Sequence, residues 1–134
     1  MKKNLEVLLK KAVTARKKSY APYSGHKIGA AVQMKDGQIF TGANIENASY
    51  GATVCAERTA IWKAISEGAK SPIDEILIVS HQADPWPPCG MCLQVLSEFG
   101  HAKTKVWIAN TKKVVKAFTF EELFPEAFTP RHLK

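Results

Sequence analysis

The sequence predicts a three-layer α/β/α fold, in which a mixed five-stranded sheet carries helices on both faces. Strand-like apolar runs and segments of helical periodicity follow one another in the order α-β-β-α-β-α-β-β-α. Ile73 to Ser80 is rich in Ile, Leu and Val, as a strand buried on both faces should be. Only Thr111-Lys112-Lys113 separates the last two strands. A parallel pair needs a crossover of about a dozen residues or more, so these two strands must be antiparallel.

Asn4 to Lys18 carries Leu5, Leu8, Leu9, Ala12 and Ala15 on one helical face, and Ala21-Pro22-Tyr23-Ser24-Gly25 breaks the pattern. Ile28 to Met34 and Gln38 to Asn44 read as paired strands around the hairpin signal Lys35-Asp36-Gly37. Cys55 to Glu67 is a second helix, with Ala56, Thr59, Ala60, Ala64 and Ile65 as inward candidates and Gly68 as its C-terminal stop. A third helix runs from Cys89 to Phe99 and ends at Gly100. Lys105 to Asn110 and Val114 to Thr119 are the last strands, and Thr119 to Leu123 a short final helix.

The 134 residues fit a single domain spanning 1–134, large enough to bury a real core. A hydrophobic fraction of 46% and a mean hydropathy of −0.16 suit a soluble globular chain, and no apolar run is long enough to predict a membrane span. Met1-Lys2-Lys3-Asn4-Leu5 has the lysines of a signal peptide without the apolar stretch after them, so a cytoplasmic location is expected. Three cysteines in a cytoplasmic chain point to metal binding or catalysis, not to a disulfide framework. The net charge of +7 makes polyanions conceivable partners, but the lysines cluster near the two ends and read as a solvated surface.

Cys55 and Cys89 each open a helix, where unpaired N–H groups and the helix dipole favour thiolate. Cys92 lies one turn after Cys89 on the same face. Alone, Cys89-x-x-Cys92 fits a redox pair or half of a structural zinc site equally well. If both helix starts meet, three thiolates converge, and three protein ligands with a free fourth position is the arrangement of catalytic zinc. None of His26, His81, His101 or His132 has ligand-like spacing to a cysteine. Glu57 favours the catalytic reading, because a carboxylate in the first turn after Cys55 can move protons for a zinc-activated water, and structural zinc has no use for it. Cys-x-Glu followed about thirty residues later by Pro-Cys-x-x-Cys is the three-cysteine form of the zinc deaminase signature.

At this point the chain resembles the small cytidine deaminases of pyrimidine salvage over nearly its whole length. The resemblance is carried by Tyr20-Ala-Pro-Tyr-Ser24, Ile28-Gly-Ala-Ala31, Thr41-Gly-Ala-Asn-Ile-Glu-Asn-Ala-Ser-Tyr50, Cys55-Ala-Glu-Arg-Thr-Ala60, Pro88-Cys-Gly-Met-Cys92 and Phe124-Pro-Glu-Ala-Phe128. It implies a cytidine-deaminase-like fold and one Zn²⁺ per subunit held by Cys55, Cys89 and Cys92. Glu57 would shuttle protons while zinc-bound hydroxide attacks C4, turning cytidine or deoxycytidine into uridine or deoxyuridine with release of ammonia. Asn44 and Glu46 would hold the ribose hydroxyls, with His26 and Ala56 also at the substrate. Tyr50 and Phe128 would reach a neighbouring subunit's site in a homotetramer. Arg58 would hydrogen-bond the thiolates and offset a site charge of about −1.

The chain departs from the family pattern at three places. His26 replaces a common Phe over the pocket, Leu93 replaces an Arg after the last cysteine, and bulky Trp86 sits in the loop before the metal pair, where it either lines the pocket or packs at a subunit contact, packing being the expected role. The alternatives are a deaminase of another cytosine-bearing substrate, such as a blasticidin-type antibiotic or single-stranded nucleic acid, and a zinc-stabilised nucleic-acid-binding module. The short last connection argues against a polynucleotide deaminase. Lys10-Lys11 and Lys17-Lys18 lack the interleaved aromatics of a single-strand-binding surface, so nucleic acid is not an expected partner.

Overall fold

The structure, a computed structural model, describes residues 3–134; Met1 and Lys2, part of the stretch compared with a signal peptide, lie outside the described residues. The elements run α1 (Lys3–Arg16), β1 (Gly29–Met34), β2 (Ile39–Ala43), α2 (Ala56–Ser66), β3 (Ile73–Val79), α3 (Gly90–Phe99), β4 (Lys105–Ala109), β5 (Val114–Thr119) and α4 (Phe120–Leu123). Two short 3₁₀ turns, Tyr50–Ala52 and Pro130–Leu133, have no counterpart in the sequence reading, because three or four residues carry no periodicity.

The five strands lie in the order β2-β1-β3-β4-β5. β1 pairs antiparallel with both β2 and β3, β3 and β4 are parallel, and β5 folds back antiparallel on β4 as the short connection requires. Gly37 takes φ +97° in the first hairpin, a conformation that costs a side chain but not glycine.

Alternation along β3 sorts the core into two layers. Leu77 and Val79 pack with Leu5, Leu8, Leu9 and Ala12 of α1. Ile76 and Ile78 face the other way, onto Ala56, Ala60, Ile61 and Ala64 of α2 and Leu93 and Leu96 of α3. Helices therefore cover both faces. Gly42 sets how closely α2 approaches, since a Cβ there would stand 2.5 Å from the Ala60 nitrogen and 2.7 Å from the Ala56 oxygen. No helix among the described residues is long and apolar enough to cross a membrane.

Candidate active site

β3 and β4 are the parallel pair, and ligands of open α/β sheets gather beyond the carboxyl ends of such strands. The N-termini of α2 and α3 point to that edge. Cys55 is the N-cap residue of α2 and Cys89 that of α3, both with extended backbone and neither spending its side chain on a capping bond. The three Sγ atoms of Cys55, Cys89 and Cys92 lie within 4.8 Å of one another. Cys55 and Cys89 are 3.9 Å apart, and Cys89 and Cys92 3.5 Å. Thiolates about 2.3 Å from one tetrahedral ion stand roughly 3.8 Å apart, so these spacings fit zinc. Among the described residues, the cysteines are the one such cluster of metal-ligand side chains.

The charge around the cluster favours thiolate at Cys55. Cys55 is held down to about 5 by the adjacent Cys92 thiol, against the cost of burial and with help from Arg58. Cys92 is pushed up by that same partner and by burial. The Arg58 guanidinium donates from Nη2 to the Cys55 sulfur at 3.5 Å and lies over the Trp62 ring, 5.8 Å from its centroid. Arg58 is buried, so it is no surface helix arginine. Leu93 belongs to the core under α3 and brings no charge, which leaves Arg58 as the cation in contact with the cluster. Glu57 is buried beside Cys55, and desolvation first, then the Cys55 charge, pushes its carboxyl up to about 7.

A cavity of about 320 Å³ opens onto the cluster. Cys55, Glu57 and Cys89 line it together with Asn44, Glu46, His26 and Trp86. The Asn44 carboxamide is nearly all committed. Its Oδ1 accepts from Ile28 N at 2.8 Å and from Ser19 Oγ, and its Nδ2 donates to the His26 carbonyl at 2.7 Å. Glu46 accepts from the backbone of Tyr23 at 2.9 Å and of Ser24 at 3.1 Å, and from the Ser24 hydroxyl. The Ser24 hydroxyl contact, opposed by partial burial and aided by these backbone bonds, holds the Glu46 carboxyl below the usual carboxylate range.

Trp86 follows the pocket-lining one of its two sequence readings, since it lines the cavity and meets the His26 ring edge-on at 4.8 Å. His26 in turn stacks on His81 at 5.8 Å. Ala56 is fully buried in the core beneath α2, off the cavity wall. Tyr50 and Phe128 are 80% and 54% exposed, and neither lines this cavity. Ser80 escaped the sequence reading, although a hydroxyl closing an apolar strand was the available signal.

Comparison with known proteins agrees with this geometry. The model of the cytidine and deoxycytidylate deaminase zinc-binding region matches residues 2–108. A cytidine deaminase of Halalkalibacterium halodurans is 49% identical over 124 residues, 92% of this chain and 93% of the relative. A blasticidin-S deaminase of Bacillus cereus is 37% identical over 112 residues, 78% of each chain. The crystal structure of cytidine deaminase from Burkholderia pseudomallei superposes with a TM-score of 0.87 at 41% identity, covering 96% of this chain and all of that one. The convergent cysteines, the buried carboxylate beside them and these likenesses agree, and the chain belongs to the zinc-binding cytidine and deoxycytidylate deaminase family.

Proposed function

We infer that the chain is a zinc-dependent hydrolase that deaminates cytidine and deoxycytidine, replacing the amine at C4 of the base with oxygen and releasing ammonia. The convergence of Cys55, Cys89 and Cys92 at a cavity that also contains buried Glu57 carries this reading. Zinc, when bound by the three thiolates, supplies a Lewis acid that lowers the pKa of water to about 7. Arg58 steadies the thiolates that hold it.

The remaining work belongs to the chain. Glu57, its carboxyl raised by burial, exchanges a proton near neutrality. It takes one from the attacking water and places it on N3 as C4 becomes tetrahedral, then takes a second from the hydroxyl now on C4 and delivers it to the departing amine as C4=O forms and the C4–N bond breaks. Glu46, held ionised by Ser24 and the backbone around it, accepts a hydrogen bond from a ribose hydroxyl, and Asn44 offers its remaining amide hydrogen. His26 and Trp86 wall the base and exclude water.

The protein works as a homotetramer in this proposal, with Tyr50 and Phe128 completing the site of a neighbouring copy. Both are exposed, as are Tyr20, Tyr23 and Ile45, and the Tyr23 and Tyr50 rings stand 6.4 Å apart. A solution mass about four times the 14.8 kDa of the chain would support that assembly, and a monomer would refute it. Three free thiols that must stay reduced suit a cytoplasmic location. Lys10, Lys11, Lys17 and Lys18 are exposed on α1 and the turn after it, across the sheet from the cysteines, so they do not line a path for nucleic acid into the cavity.

The test is the fall in cytosine absorbance on adding cytidine, with and without a zinc chelator. Turnover that the chelator abolishes and zinc restores is expected. No turnover of cytidine, or preference for a cytosine oligonucleotide or blasticidin S, would overturn the reading.

A further inference from the structure

We propose that Ser80 holds the exocyclic amine of cytosine, accepting a hydrogen bond from it at the floor of the cavity. Ser80 is 2% exposed, and its Oγ has no hydrogen-bond partner in the protein. Buried hydroxyls are normally satisfied, and one left open on a cavity wall marks the place of a ligand group. Its backbone is fixed, since Ser80 N donates to the Ala109 oxygen at 3.1 Å. Alternation along the strand puts its side chain with Ile76 and Ile78, on the side of α2 and α3, and it lines the cavity with Ile78, Glu57 and Cys89.

The assignment to the amine rests on the cytidine deaminase reading and on the shape of cytidine. The ribose is attached at N1, and C4 lies across the ring from it. With the sugar held at Asn44 and Glu46, and C4 at the cysteines, the amine on C4 reaches furthest from the sugar. That amine only donates, because its lone pair is delocalised into the ring. Glu57 is occupied at N3, the thiolates hold the metal, and Ile78 and Pro87 offer no side-chain acceptor. The Ser80 hydroxyl can accept from the amine and from the ammonia that leaves. By rotating, it can then donate to the carbonyl oxygen that replaces the amine at C4.

The experiment compares Ser80→Ala with the wild type in zinc-loaded protein. Two ligands are used: cytidine, and the ribonucleoside of pyrimidin-2-one, which lacks any substituent at C4. Loss of one hydrogen bond predicts a roughly five- to ten-fold fall in kcat/KM for cytidine, with the inhibition constant of the pyrimidinone nucleoside unchanged within about two-fold. Zinc content stays the same, and the ligand-free variant unfolds no earlier than the wild type, because an unpaired buried hydroxyl has been removed. Equal losses for both ligands, an unchanged kcat/KM, or a lowered unfolding midpoint would each overturn the proposal. Each would show that Ser80 shapes the pocket, serves a water or supports the fold. If the wild type turns over no cytidine, the parent reading fails first, and this comparison separates the two failures.

Discussion

Gly42→Ala tests how the fold positions the site. Gly42 lies in β2 under α2, and a Cβ there would meet the Ala60 nitrogen at 2.5 Å, the Ala56 oxygen at 2.7 Å and the Thr59 Cβ at 2.9 Å. Two of the three are helix backbone, which cannot swing aside as a flexible side chain would. Ordinary contact begins near 3.4 Å, so α2 must move by about 1 Å or β2 must bend. Overpacking of this kind costs about 1–3 kcal/mol, roughly 4–12 °C in melting temperature for a chain of this length. The same shift carries Cys55 and Glu57 with it, because both sit at the start of α2. A displacement of about 1 Å at reacting groups can cost up to ~10²-fold in rate. Thermal unfolding of the zinc-loaded protein and kcat/KM for cytidine are the readouts. Gly51→Ala is the control, since a Cβ there meets nothing within 4 Å. If Gly42→Ala melted within about 1 °C of the wild type and kept full activity, α2 would not be seated by this contact and the reasoning would be wrong.

Three other perturbations address the chemistry. Glu57→Gln keeps the fold and the zinc but lowers kcat by at least ~10²–10⁴-fold, and near-normal turnover of cytidine would remove Glu57 from its role. Arg58→Met weakens zinc retention or turnover by about 10–100-fold in a chelator competition and rate assay, with Trp62→Leu a milder copy of it; unchanged values in both variants would show that the guanidinium does not tune the thiolates. Glu46→Gln raises KM for cytidine with little effect on kcat. In the wild type, the depressed carboxyl of Glu46 stays ionised down through the ordinary carboxylate range, so its share of binding is lost only as pH falls through that lowered pKa. Inhibition constants of a non-reacting nucleoside, measured against pH, would contradict this if the weakening set in nearer neutrality.

What the sequence disclosed and what it hid divide along physical lines. Elements whose evidence is local were readable. The periodicity of α1, the Asp36-Gly37 turn and the short last connection each constrain the backbone within a few residues. Cys55 and Cys89 were readable for a similar reason, since their place at a helix start is set by local sequence. Features decided by which surfaces meet were not. The contact between Trp86 and His26 is one, because nothing in the neighbours of Trp86 says that its loop returns it to that ring. Arg58, by contrast, reaches a sulfur three residues back on its own helix, and the resemblance had placed it at the thiolates.

Asn44 shows why residue type alone under-reads a site. Its amide looks like a ribose ligand, yet its oxygen and one amide hydrogen hold Ile28 N and the His26 carbonyl. It therefore fixes the segment that carries His26 while leaving one amide hydrogen unpaired. Removing the side chain would move the His26 wall as well as lose that hydrogen, so Asn44→Ala should lower kcat as well as raise KM, whereas Glu46→Gln should act on KM. Glu46 receives its bonds from Tyr23 and Ser24, ahead of His26, and a Gln there can still accept them through its carbonyl oxygen. A pure KM effect in both variants would mean that the two residues act only on the sugar. A split between them would place the positioning of the base, and not only its binding, in the Asn44 amide.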